Sequence, residues 1–97
     1  MALSHTTPAG GNIFADLGFR GAEAENLKIR AALMIQIHRI MQDRELKQKD
    51  AAELFGVSQP RISDLVRGKM DEFTIDSLVN MLAHAGFHVE VSVPAVA

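Results

Sequence analysis

The sequence predicts a mainly α-helical fold, four or five helices followed by one C-terminal β-strand, and three observations predict it. Glycine and proline cut the chain into segments of helical length. Within these segments the apolar residues recur at spacings of three and four. After Gly86 the period drops to two, where Phe87, Val89, Val91 and Val93 alternate with His88, Glu90 and Ser92 until Pro94. Ninety-seven residues, 47% of them hydrophobic and 23% charged, suffice for one core and one domain.

Residues 1–11 contain turn formers without periodicity and read as a loose tail, native leader or cloning remnant, which leaves 12–97 as the folded domain. Asn12 is placed to cap a short turn from Ile13 to Leu17 that Gly18 ends. Ala22 to Asp43 is the longest stretch without Gly or Pro and is rich in Ala, Leu, Met, Lys and Arg, which predicts a long helix. Around it Lys28, Gln36, Arg39 and Asp43 share one narrow arc, and apolar residues take most of the rest, with Arg30 interrupting them. A helix lying on one core needs an apolar stripe of somewhat over ~100°. This stripe is about twice as wide, which points to a second chain as well as the helix's own core.

Lys47 to Phe55 reads as a short helix stopped by Gly56. Ser58 or Gln59 opens the next, with Pro60 in its first turn, where a missing N–H is harmless, and Gly68 ends it. Thr74 to Ala85 is the last, with Ile75, Leu78, Val79, Leu82 and Ala85 on one side and Gly86 beyond its end. The strand over 87–93 has no partner strand in the sequence. A lone strand cannot satisfy its backbone, so it is expected to pair with its copy in a dimer or with another protein.

The net charge of -2 conceals an uneven spread. Residues 28–69 hold nine Lys and Arg against five Asp and Glu, a surplus of four, while the remainder carries a deficit of six. A local basic field steers a polyanion whatever the average charge. No apolar run reaches the length of a membrane span and no signal-peptide pattern occurs, so the expected home is the cytoplasm, away from membranes. Cysteine is absent, which removes disulfides and thiolate metal sites. His5, His38, His84 and His88 are not arranged as convergent ligands, and no Ser, His and acid can be brought together by spacing. Neither a metal, a cofactor nor an enzyme is expected.

The informative region runs from Gln48 to Leu65. Ala51 and Ala52 are small enough for a second helix to approach the first, Gly56 supplies the turn, and Val57 plugs the corner. Ile62 and Leu65 seat the second helix on Ala51 and Phe55. These are the residue types that a helix-turn-helix requires at its structural positions. The outward residues Gln59, Arg61, Ser63, Asp64 and Arg67 are all polar. Such a helix fits the DNA major groove, where Arg can hold guanine O6 and N7 and Gln can hold adenine N6 and N7.

The run Gln48–Leu65, followed by Arg67-Gly68-Lys69, resembles the Cro and lambda-repressor-like helix-turn-helix regulators, often labelled XRE. With Ile13–Phe19, the long helix, Phe73–Leu78 and the terminal strand, the chain is similar to a compact subgroup that includes HigA-type antitoxins. The resemblance implies that Gln48 holds a phosphate and that Gln59, Pro60, Arg61 and Asp64 face bases. Pro60 has no donor, so its reading is apolar, against a thymine methyl, and base contact leans on Gln59 and Arg61. Ser58 and Ser63 then suit phosphate oxygens, and Arg67 and Lys69 the DNA backbone after the recognition helix. The implied target is a pseudo-palindromic operator in double-stranded DNA. One recognition helix reads too few base pairs, so a homodimer is expected, with Phe87, Val89, Val91 and Val93 and part of the long helix as its interface. The subgroup further implies a RelE-like ribonuclease toxin as partner and repression of the pair's own operon. The alternatives are a solitary regulator of the same type and a protein-interaction module whose helix-turn-helix has lost DNA binding.

Overall fold

A computed structural model describes residues 21–95, built of four helices and one short 3-10 turn. The helices are α1 (Gly21–Asp43), α2 (Gln48–Phe55), α3 (Gln59–Val66) and α4 (Ile75–His84), and the 3-10 turn is Met70–Glu72. The expected turn over Ile13–Leu17 and the expected tail over 1–11 lie outside the described residues.

Each boundary has a local cause. Thr74 caps α4 with a reciprocal box: its Oγ1 accepts from the Ser77 N–H at 3.0 Å, and Ser77 Oγ accepts from the Thr74 N–H at 2.9 Å. At the other end of α2, Gly56 takes φ 68° and ψ 33°, so the Val57 N–H reaches back to the Ala52 carbonyl at 3.0 Å. The same reverse bond closes α1, from the Leu46 N–H to the Met41 carbonyl at 2.9 Å. There the left-handed residue is Glu45, at φ 51°.

The core is one cluster. Leu33, Met34, Ile37 and Met41 of α1 meet Ala51, Ala52 and Phe55 of α2, Ile62 and Leu65 of α3, Phe73, and Leu78, Met81 and Leu82 of α4. Each large aliphatic or aromatic member contributes about 1.5–3 kcal/mol by leaving water, and together they offset the entropy of ordering the chain. Helix α1 packs on α4, on α3 and on the 3-10 turn, while α2 packs on α3 and α4. Most of the wide apolar arc of α1 is therefore covered within the chain, with Ile29 and Ile40 half-buried against the cluster and Ile35 left 56% exposed. Arg30, the residue that interrupts that arc, is half-buried and points at the 3-10 turn, donating from Nη1 to the Met70 and Phe73 carbonyls at 3.1 and 3.3 Å.

The expected strand is not formed: residues 87–95 carry neither helix nor ladder, and there is no strand among the described residues. A ladder needs a neighbour for its N–H and C=O groups, and the described residues supply none. The period of two survives as burial, since Phe87 and Val89 rest half-buried against the core while His88 and Glu90 are exposed. Arg44 lies 5.3 Å above the Phe87 ring and helps seat the start of this segment. No helix among the described residues is long and apolar enough to cross a membrane.

Candidate nucleic-acid interface

Two eight-residue helices joined by the turn 56–58 form the site. Ala51 and Ala52 are buried at the crossing, 0% and 7% exposed, and carry no side chain beyond Cβ to hold α3 away. Ser58 opens α3 in extended backbone at φ -77° and ψ 159°, its Oγ accepting from the Arg61 N–H at 3.4 Å. Pro60 follows in the first turn, where its ring fits and no backbone donor is missed. Ile62 and Leu65, 0% and 3% exposed, are the buried residues of α3 and anchor it to the core.

The outward side of α3 follows from those anchors. Stepping about 100° per residue, Pro60, Ser63, Asp64 and Arg67 lie opposite the Ile62–Leu65 side, and Gln59 and Arg61 lie on the flanks. Gln59, Pro60 and Arg67 are exposed, and Ser63 and Asp64 are half-buried. Lys69, exposed beyond the helix, places Nζ 3.5 Å from the Asp64 carboxylate and closes the backbone with an N–H bond to the Asp64 carbonyl at 3.0 Å. Gln48 stands exposed at the first position of α2, with Lys47 and Lys49 beside it, also exposed. Side chains with hydrogen-bonding or cationic ends, displayed on one short helix and on the start of its neighbour, can engage base edges and phosphates together.

Two of the expected contacts have work inside the chain. Ser58 is the cap of α3. Arg61 is half-buried: its Nη1 donates to the Glu72 carbonyl at 2.7 Å, and its guanidinium lies over the Phe73 ring at 4.4 Å from the centroid. Phe73 and Arg30 are the participants that reading the sequence left out. The interruption of the α1 arc by Arg30 was their one local signal.

Of the expected interface residues 87–93, Phe87 and Val89 are partly covered, whereas Val91 and Val93 stand 68% and 85% exposed. His84 Nδ1 donates to the Leu54 carbonyl at 2.9 Å, so that nitrogen carries a proton. Among the described residues no three His, Asp or Glu side chains converge as metal ligands.

A family model described as a helix-turn-helix domain matches residues 13–94. No curated protein matches the chain. The matched span takes in all four helices, the 3-10 turn and the segment after Gly86. With the crossing at Ala51, the turn at Gly56 and the seated, outwardly polar α3, the conclusion is direct: the chain belongs to the helix-turn-helix domain family, which suggests a DNA-binding regulator.

Proposed function

We propose that the protein is a sequence-specific DNA-binding repressor that acts as a homodimer and serves as the antitoxin of a type II toxin–antitoxin pair, repressing its own operon. One observation carries the DNA reading: α3, capped by Ser58 and seated by Ile62 and Leu65, displays Gln59, Pro60, Ser63, Asp64 and Arg67 within a helix-turn-helix domain. In the major groove Gln59 is suited to adenine N6 and N7, Asp64 to a cytosine amino group, and the Pro60 ring to a thymine methyl. Gln48, Ser58, Ser63, Arg67 and Lys69 are assigned to phosphates, which set register without reading sequence.

One α3 reads too few base pairs for useful selectivity, so two are needed, with half-sites about 34 Å apart across a dyad. Pairing of residues 87–93 with their copy supplies that dyad. Its support is the alternating burial over Phe87–Glu90 and the uncovered Val91 and Val93 on a segment without a strand partner among the described residues. Repression is then occlusion of the promoter by the bound dimer.

The antitoxin assignment rests on the resemblance of the region around the motif to HigA-type proteins. It is supported by the exposure of Ile35 and Val66, 56% and 41%, which offers a protein partner an apolar patch on the helical body. The same patch favours the second reading, a protein-interaction module without a DNA role. The deciding experiment is enrichment of duplexes from a randomised double-stranded library by the native chain. A two-fold symmetric consensus bound by two chains is the expected result, and failure to enrich any sequence overturns the DNA reading.

A further inference from the structure

Helix α3 is short, about 12 Å long, and its two buried anchors, Ile62 and Leu65, lie three residues apart on one side. Two anchors on one line leave a helix free to roll about that line. A recognition surface must be held to within roughly 0.5 Å and 10–20° to meet its target. A third point off the line is required, and Arg61 provides it. Its Nη1 donates to the Glu72 carbonyl at 2.7 Å while its guanidinium carbon lies over the Phe73 ring, 4.4 Å from the centroid.

The surface that Arg61 grips is itself fixed. Phe73 is 1% exposed and belongs to the core. Arg30 of α1 also donates to the Met70 and Phe73 carbonyls, at 3.1 and 3.3 Å, and its Nε donates to Asn26 Oδ1 at 2.7 Å. Three carbonyls of the segment Met70–Phe73 are thus held by two guanidinium groups, one from α1 and one from α3. The ring and the charge-assisted bond already orient the Arg61 guanidinium toward the Phe73 turn, so turning it to guanine O6 and N7 would work against both contacts.

We propose that Arg61 is a positioning residue for DNA reading and not a base contact: it locks the roll of α3 against the Phe73 turn, in the pose from which Gln59, Ser63, Asp64 and Arg67 meet the duplex. This assignment rests on the DNA-binding reading above. It follows that loss of Arg61 lowers the fraction of molecules in the competent pose, which weakens binding to every sequence by the same factor and leaves the preference among sequences intact.

The test compares the native chain with Arg61→Ala, Arg61→Lys and Phe73→Leu in the same library enrichment, then in titration of the native consensus duplex across salt. All three variants are expected to enrich the native consensus. Arg61→Ala is expected to bind it roughly tenfold more weakly, equivalent to about 1.4 kcal/mol, with the salt slope unchanged. Lysine is expected to fail as a replacement, because it lacks the planar face that rests on Phe73. Phe73→Leu keeps an apolar group in the core but removes the ring, and it is expected to reproduce the loss even if Arg61→Ala does not fold. Amide exchange over residues 70–73 of the free protein should quicken in step.

Relaxed preference at one base pair in Arg61→Ala, restored by lysine, overturns the proposal in favour of guanine reading. A slope smaller by about 0.9 overturns it in favour of a phosphate contact, and unaltered affinity overturns it outright. If the native chain enriches nothing, the DNA reading falls and this role falls with it. That outcome is distinct from a native consensus that Arg61→Ala changes.

Discussion

A β-carbon on Gly56 would stand 2.7 Å from Cδ2 of His84, inside any distance that two carbon atoms tolerate. The position is therefore constrained twice, by the left-handed φ of 68° and by the imidazole that the Leu54 carbonyl holds over it. Gly56→Ala is expected to destabilise the fold by about 1–3 kcal/mol, and melting should fall about 4–8 °C for each kcal/mol in a domain of this size. In a His84→Ala background the cost should shrink to the part that φ imposes. Thermal denaturation of the four chains of this cycle measures the coupling, and strictly additive losses would assign the whole effect to the backbone.

Glu45 offers the opposite opportunity. It occupies a left-handed turn at φ 51° that glycine adopts without penalty, and the Leu46 bond to Met41 requires that turn. Relief of about 1–2 kcal/mol of backbone strain, less the unfolded-state freedom that glycine adds, predicts that Glu45→Gly stabilises by about 0.5–1 kcal/mol. Urea unfolding should show a higher midpoint with an unaltered slope.

Arg67 ends α3 on its outward side and is exposed. Each phosphate neutralised contributes about -0.9 to the slope of log K against log salt, so Arg67→Ala is expected to make the slope shallower by about that amount. The preferred sequence should not change. A changed preference with an unaltered slope would move Arg67 from the phosphates to the base edges.

Val91 and Val93 touch little within the chain, so Val91→Asp with Val93→Asp should leave helical content and melting of the monomer as they are. If residues 87–93 pair across a dyad as proposed, sedimentation is expected to show the native chain as dimers and the variant as monomers, because like charges would face each other. A variant that remains dimeric would transfer the interface to the α1 surface around Ile35.

The helices were legible because their punctuation is local. Gly56, Pro60 and Gly68 bound α2 and α3, and the core positions Ala51, Phe55, Ile62 and Leu65 follow from spacings of three and four. The capping box of Thr74 and Ser77 was equally local, yet serine at the third position is a weaker signal than the usual Glu or Gln. What could not be read was non-local. Arg61 has the composition of a base reader, and only the return of the chain eleven residues later, with Glu72 and Phe73, gives it a partner. A wheel with about 100° per residue does place Arg61 next to Leu65, nearer the core than Asp64, which is the clue its residue type obscures. The terminal strand went unformed for a different reason, since its pattern specifies which side chains face inward but not the neighbour that completes it.

Phe73 holds up the hydrophobic interior with one side of its ring and carries a guanidinium on the other. Drift at this site would register at once in melting temperature and, on the proposed DNA reading, in operator occupancy. On that reading the aim of α3 is inherited from the solidity of the protein's centre, and a change of Phe73 cannot retune the first while sparing the second.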